Sequence, residues 1–126
     1  MMTKQILIID DDEGIRSIMQ ISLTAAAGWE VLTAASGAEG ITIAAERQPD
    51  AILLDLTMPD LDGWETLQRL QANPLTQPIP AILLTAQANL WQNQRSIAMG
   101  AQGLIVKPCK AQELVSQMRS YLNWPT

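Results

Sequence analysis

The 126-residue sequence predicts an α/β fold: a doubly wound, five-stranded parallel sheet with five helices. Three observations predict it. Short apolar runs recur along the chain, four of them continuous rather than alternating, and segments with helical spacing separate them. Continuous apolar runs are how strands read when helices cover both faces of a parallel sheet. Parallel neighbours need crossovers of about a dozen residues or more, and each gap here supplies one. Right-handed crossovers then wind the helices onto both faces.

The elements follow in order. Ile6-Leu7-Ile8-Ile9 is the first strand. Ile15, Ile18, Met19, Ser22 and Leu23 recur at i, i+3, i+4 and mark a helix, with Asp12 and Glu13 at its start, where acids favour the dipole. Val31-Leu32 and its flanks form the second strand. Ser36-Gly37-Ala38-Glu39 is a capping box ahead of Ile41, Ala44 and Ala45. Ala51-Ile52-Leu53-Leu54 is the third strand. Asp60 reads as a turn residue, and Asp62 caps a helix carrying Trp64, Leu67 and Leu70 that stops before Asn73-Pro74. Ala81-Ile82-Leu83-Leu84 is followed by a helix from about Ala88 that ends at Gly100, a C′ residue. Leu104-Ile105-Val106 and a helix from about Ala111 to Leu122, with Leu114, Val115, Met118, Tyr121 and Leu122 on its apolar side, complete the chain.

Hydrophobic residues make up 48% of the sequence, enough for a real core. A chain of this length buries roughly two-thirds of its unfolded surface. The net charge is −5 and the eight basic residues are scattered. Neither a nucleic-acid footprint nor a polybasic membrane patch is expected, so no direct nucleic-acid or membrane contact is predicted. Cys109 stands alone, which excludes an intrachain disulfide and a cysteine zinc site and leaves a small packing residue. The absence of histidine excludes His-based acid–base work and His metal ligands, and the chain cannot itself be a phosphohistidine donor. Met1 to Gln5 precede only a short apolar run, too short for a signal peptide or a span. The expectation is one cytoplasmic domain over residues 1–126, with no output domain in this chain.

The chemistry lies at the strand ends. Asp10-Asp11 follow the first strand, Asp55 the third, Thr85 the fourth and Lys107 the fifth, and in a parallel sheet these meet at one rim. Two carboxylates about 4 Å apart repel by about 4 kcal/mol at an effective dielectric near 20. A hard dication removes that conflict, and Mg²⁺ takes carboxylate and phosphate oxygens together. Lys107 adds a point charge and Thr85 a hydroxyl donor. A carboxylate nucleophile in such company suits phosphoryl acceptance.

Ile6 to Asp12, Leu53 to Gly63, Leu83 to Ala86 and Val106-Lys107-Pro108 together resemble the response-regulator receiver domains, in order and spacing along the whole chain. The resemblance implies a flavodoxin-like strand order, 2-1-3-4-5. It implies that Asp55 is the phosphoacceptor and a metal ligand, that Asp11 binds Mg²⁺ directly, that Asp10 holds it largely through water, and that the Thr57 carbonyl completes the protein ligands. Thr85 would move toward the phosphoryl group, and Lys107 would pair with Asp55 or its phosphoryl oxygens, aimed by a cis peptide bond to Pro108. The implied donor is a sensor histidine kinase or a phosphotransfer protein. The implied output is a protein target met by the face of the fourth helix, fifth strand and last helix. The domain then catalyses only its own phosphorylation and dephosphorylation.

Two positions depart from the family's habit. Leu104 stands three positions before Lys107, where the family often has an aromatic residue whose rotamer follows the threonine, and Cys109 stands where another aromatic is common. Thr57 and Gln87 occupy positions that tune the lifetime of the phosphorylated state. Trp91, Tyr121 and Trp124 read as part-buried aromatics with a wet edge, or alternatively as members of the partner face. Two rival functions carry less support. A phosphate-blind interaction module conflicts with the full set of charged site residues. An aspartyl hydrolase conflicts with Asp55-Leu56-Thr57, which lacks a second carboxylate two residues on.

Overall fold

The computed structural model describes residues 3–56, 63–86, 89–107 and 110–125. In chain order they form β1 (Gln5–Ile9), α1 (Glu13–Ala27), β2 (Glu30–Ala34), α2 (Gly37–Arg47), β3 (Ala51–Asp55), α3 (Gly63–Ala72), β4 (Ala81–Thr85), α4 (Leu90–Ala98), β5 (Gly103–Val106) and α5 (Ala111–Leu122). The sheet order is β2-β1-β3-β4-β5, with every neighbouring pair parallel. The order reverses between β1 and β3, which opens a crevice beyond their carboxyl ends.

Alternate strand residues serve opposite layers. Ile6, Ile8, Leu53, Ile82, Leu84 and Ile105 pack with Leu23 of α1 and with Leu114, Val115 and Met118 of α5. Leu7, Ile9, Ile52, Leu54 and Leu83 pack with Ala44 of α2 and with Leu67 and Leu70 of α3. Each such Leu or Ile contributes about 1.5–3 kcal/mol relative to exposure. Helix α4 shares least in this. Among its described side chains only Ser96 is buried.

The helix ends follow their local chemistry. Asp12 Oδ1 accepts the Ile15 N–H at 3.0 Å and caps α1. Ser36 Oγ accepts the Glu39 N–H at 3.1 Å, while Glu39 Oε2 reaches back to the Ala35 N–H at 3.2 Å. Helix α4 starts at Leu90 rather than near Ala88, because Asn89 is a true N-cap whose Oδ1 accepts the Gln92 N–H at 2.8 Å. Gly100 follows it with φ +89° and donates to the Ile97 carbonyl at 3.1 Å, as its C′ role predicts. The apolar stripe of α1 is narrower than its spacing suggests. Met19, Leu23 and Ala27 line up at i, i+4, i+8 against the core, and Ile18 lies off that line at 66% exposed.

One glycine fixes the rim. A Cβ on Gly63 would run into the Leu56 backbone and stand 2.6 Å from the Asp55 carbonyl oxygen. Only glycine lets the first residue of α3 sit directly on the end of β3.

Candidate functional site

The parallel register brings the strand ends together. Asp55 and Thr85 are the last residues of β3 and β4, and Asp10 and Lys107 directly follow β1 and β5. The ladder runs one step further and holds them there. The Asp10 N–H donates to the Ala34 carbonyl at 3.1 Å, Leu56 to Leu84 at 3.0 Å, and Lys107 to Thr85 at 2.7 Å.

These four side chains are withdrawn from solvent in different degrees. Asp10 is 1% exposed and Asp55 3% exposed. Lys107, 27% exposed, places Nζ 3.0 Å from Asp55 Oδ1 and 3.7 Å from Asp10 Oδ2. The first is a charge-assisted hydrogen bond; the second is too long for one. Asp10 Oδ1 accepts the Asp12 N–H at 2.9 Å. Asp10 Oδ2 is buried without a hydrogen-bond partner. Burial, above all, raises the Asp10 pKa above the usual carboxylate range; the backbone N–H of Asp12 opposes the rise and the Asp55 charge adds to it. Thr85, also 3% exposed, donates from Oγ1 to Gln92 Oε1 of α4 at 3.4 Å.

The donor set fits a hard divalent cation. Asp10, Asp11 and Asp55 each offer a carboxylate oxygen, and these oxygens lie within 4.8 Å of one another. Asp11 is exposed, which leaves an open side. The unpartnered Asp10 Oδ2 is an acceptor that a cation or its water would satisfy. All-oxygen ligands with an open side suit Mg²⁺, which keeps several waters.

Of the residues singled out in the sequence, Asp10, Asp11, Asp55, Thr85 and Lys107 thus share one rim. Thr57, Asp60, Asp62, Gln87, Cys109 and the bond from Lys107 to Pro108 lie outside the described residues. Leu104 is buried, and its carbonyl accepts the Tyr121 hydroxyl at 3.2 Å while the Tyr121 ring covers Gly103. Tyr121 and Trp91 are both open to solvent, Trp91 at 59%. Trp124 instead stands edge-on to the buried Trp29, with ring centroids 5.5 Å apart and Lys4 Nζ above it at 4.7 Å.

Two neighbours of the site, Arg16 and Gln92, and one further residue of α4, Arg95, escaped the sequence reading. Arg16 Nη1 donates to the Asp10 carbonyl at 2.7 Å. Gln92 meets Thr85. The Arg95 guanidinium lies 4.5 Å from the Trp64 ring centroid and 5.2 Å from that of Trp91. Nothing local marks these residues, because each acts across a turn or between two helices.

Residues 6–119 match the family model of the response regulator receiver domain. The chain is 36% identical over 119 residues to the DNA-binding dual master transcriptional regulator RpaA of Synechocystis, covering 94% of this chain and 49% of that protein. It is 36% identical over 123 residues to the phosphate regulon transcriptional regulatory protein PhoB of Pseudomonas aeruginosa, covering 98% of this chain and 53% of that one. The chain spans about half the length of the curated relatives it matches. Among solved structures it is similar to the Vibrio cholerae chemotaxis protein CheY4, with a TM-score of 0.89 and 29% identity over 95% of this chain and 99% of that one. A CheY-like receiver domain protein of Methanospirillum hungatei gives a TM-score of 0.86 at 30% identity, over 97% of this chain and 95% of that one.

Proposed function

The chain belongs to the response regulator receiver family, and on that premise we propose that Asp55 is its phosphoacceptor. Residues 1–126 act as one receiver unit. A histidine kinase or a phosphotransfer protein presents a phosphohistidine at the rim. An Asp55 carboxylate oxygen forms the new P–O bond as the P–N bond breaks, and the electron pair of that bond leaves with the imidazole.

The surrounding residues have distinct duties. Asp10, Asp11, Asp55 and the Thr57 carbonyl would hold Mg²⁺, whose charge offsets the carboxylates and the incoming phosphoryl oxygens. Lys107 holds one Asp55 oxygen at 3.0 Å and fixes the direction from which the other approaches phosphorus. Thr85, at the end of the neighbouring strand, supplies a hydroxyl for a phosphoryl oxygen. Asp10, through the Asp12 N–H and the Arg16 contact to its carbonyl, keeps the loop after β1 in place.

Modification takes the charge at residue 55 from −1 to about −2. A near-complete two-state switch needs about 5.5 kcal/mol of differential stabilisation, which metal, Lys107 and Thr85 contacts supply together. The output is a changed protein-binding surface on the α4–β5–α5 face, where Ile97, Val106 and Tyr121 are exposed. Phosphorylation and its hydrolysis are self-catalysed, and the site of action is the cytoplasm. Among the described residues no helix is long and apolar enough to cross a membrane. The scattered basic residues speak against direct nucleic-acid contact by this unit.

The observation that carries the reading is the buried Asp55 carboxylate, bonded to Lys107 and within 4.8 Å of two further carboxylate oxygens. Acetyl phosphate with Mg²⁺ should add one phosphoryl group by intact mass, and chelation or Asp55→Asn should abolish it. Undiminished labelling of Asp55→Asn would remove the assignment.

A further inference from the structure

We propose that Gln92 is a positioning residue for Thr85, and that the first turn of α4, rather than the residue at position 104, takes up the change at the site. The inference rests on the phosphoacceptor reading of Asp55. It starts from a limit on hydrogen bonding: a threonine hydroxyl carries one proton and donates to one acceptor at a time. Thr85 Oγ1 donates to Gln92 Oε1 at 3.4 Å. Once that proton is given to a phosphoryl oxygen on Asp55, Gln92 loses its donor.

The strand route offers little in return. Leu104 is buried and apolar, and its carbonyl is taken by Tyr121. It has no polar group that could report on Thr85. Helix α4 is different. Among its described side chains only Ser96 is buried, so little apolar burial by the described side chains ties it down. Polar and cation–π contacts hold it: the Asn89 cap, the Thr85–Gln92 bond, and Arg95 stacked against Trp64 of α3 and Trp91 of α4. Trp91 and Gln92 are consecutive in the same turn. A shift of Gln92 is therefore carried to Trp91, whose ring centroid is 6.3 Å from that of Trp64. The surface so altered is the α3–α4 edge.

The test uses the full chain with acetyl phosphate and Mg²⁺, reading the labelled fraction by mass and tryptophan emission at equilibrium. Trp91→Phe assigns the part of the emission change that belongs to Trp91. Gln92→Met keeps the length of the side chain and removes the acceptor; the Asn89 cap uses the backbone N–H of residue 92 and survives. A long, neutral hydrogen bond restrains weakly, so Gln92→Met should raise the labelled fraction at low acetyl phosphate by about two- to fivefold. It should also cut the Trp91 emission change by about half or more, because the unlabelled protein already resembles the labelled one. Gln92→Glu keeps an acceptor and should restore the emission change. A Gln92→Met protein that labels at Asp55 with the full emission change overturns the inference while leaving the phosphoacceptor reading intact. A wild type that does not label overturns both.

Discussion

Replacing Asp10 by asparagine should make the metal-free protein more stable. The carboxylate is 1% exposed, and its Oδ2 has no hydrogen-bond partner. At an effective dielectric of 20, the Asp55 oxygen within 4.8 Å costs at least about 3.5 kcal/mol, and Lys107 at 3.7 Å returns about 4.5 kcal/mol. The exposed Asp11 adds a repulsion that solvent largely screens. The charge terms nearly cancel, and burial decides. A buried acceptor without a partner costs about 1–3 kcal/mol, more when charged. Asparagine removes the charge and keeps an oxygen for the Asp12 N–H. Denaturant unfolding in a chelator should show Asp10→Asn more stable by about 1–3 kcal/mol, or about 4–12 °C in Tm. The pH dependence has a definite sign. The Asp10 pKa is raised, so the folded protein binds more protons than the unfolded one in the window above the ordinary carboxylate range. Wild-type stability therefore falls as pH rises through that window, and the advantage of the variant grows. Saturating Mg²⁺ narrows or reverses the gap by stabilising the wild type more, about 2.7 kcal/mol at one hundred times its Kd and about 4.1 kcal/mol at one thousand times. A variant less stable than wild type in chelator at neutral pH would refute the reasoning.

Other consequences follow from the packing. Gly63→Ala puts a methyl group against the Leu56 and Asp55 backbone, and should cost about 1–3 kcal/mol in denaturant unfolding while slowing acetyl phosphate labelling. Leu53→Ala, in a fully buried central strand, should cost about 2–5 kcal/mol by the same measurement. Tyr121→Phe removes the hydroxyl bond to the Leu104 carbonyl and should cost about 0.5–1.5 kcal/mol, with labelling of Asp55 unchanged.

The strands were legible because burial on both faces leaves little room for polar residues. Ile6–Ile9, Ala51–Leu54 and Ala81–Leu84 are unbroken in sequence and buried in the structure. The site followed from the same runs, since a parallel sheet carries the residue after each strand to a common rim. The helices were legible in place but less so in depth. Ile18 has the spacing of a core residue, yet the surface that α1 covers is only wide enough for the line through Met19, Leu23 and Ala27. Gln92 and Arg16 gave no signal, because their contacts depend on how helices meet strand ends, and the Arg95 contact to Trp64 depends on how α3 meets α4. Trp29 sits in the short connection between α1 and β2 but is buried beneath Trp124 and Arg119, an arrangement made by residues about ninety positions away.

The division of each strand between two layers limits how this chain can change its length. Deleting one residue within β3 would hand every side chain beyond the cut to the opposite helical layer. The same half-turn would rotate the terminal carboxylate away from the ammonium it now meets. Insertions and deletions that preserve signalling are therefore confined to the connections, and variation inside the strands is restricted to exchange of one side chain for another of similar bulk.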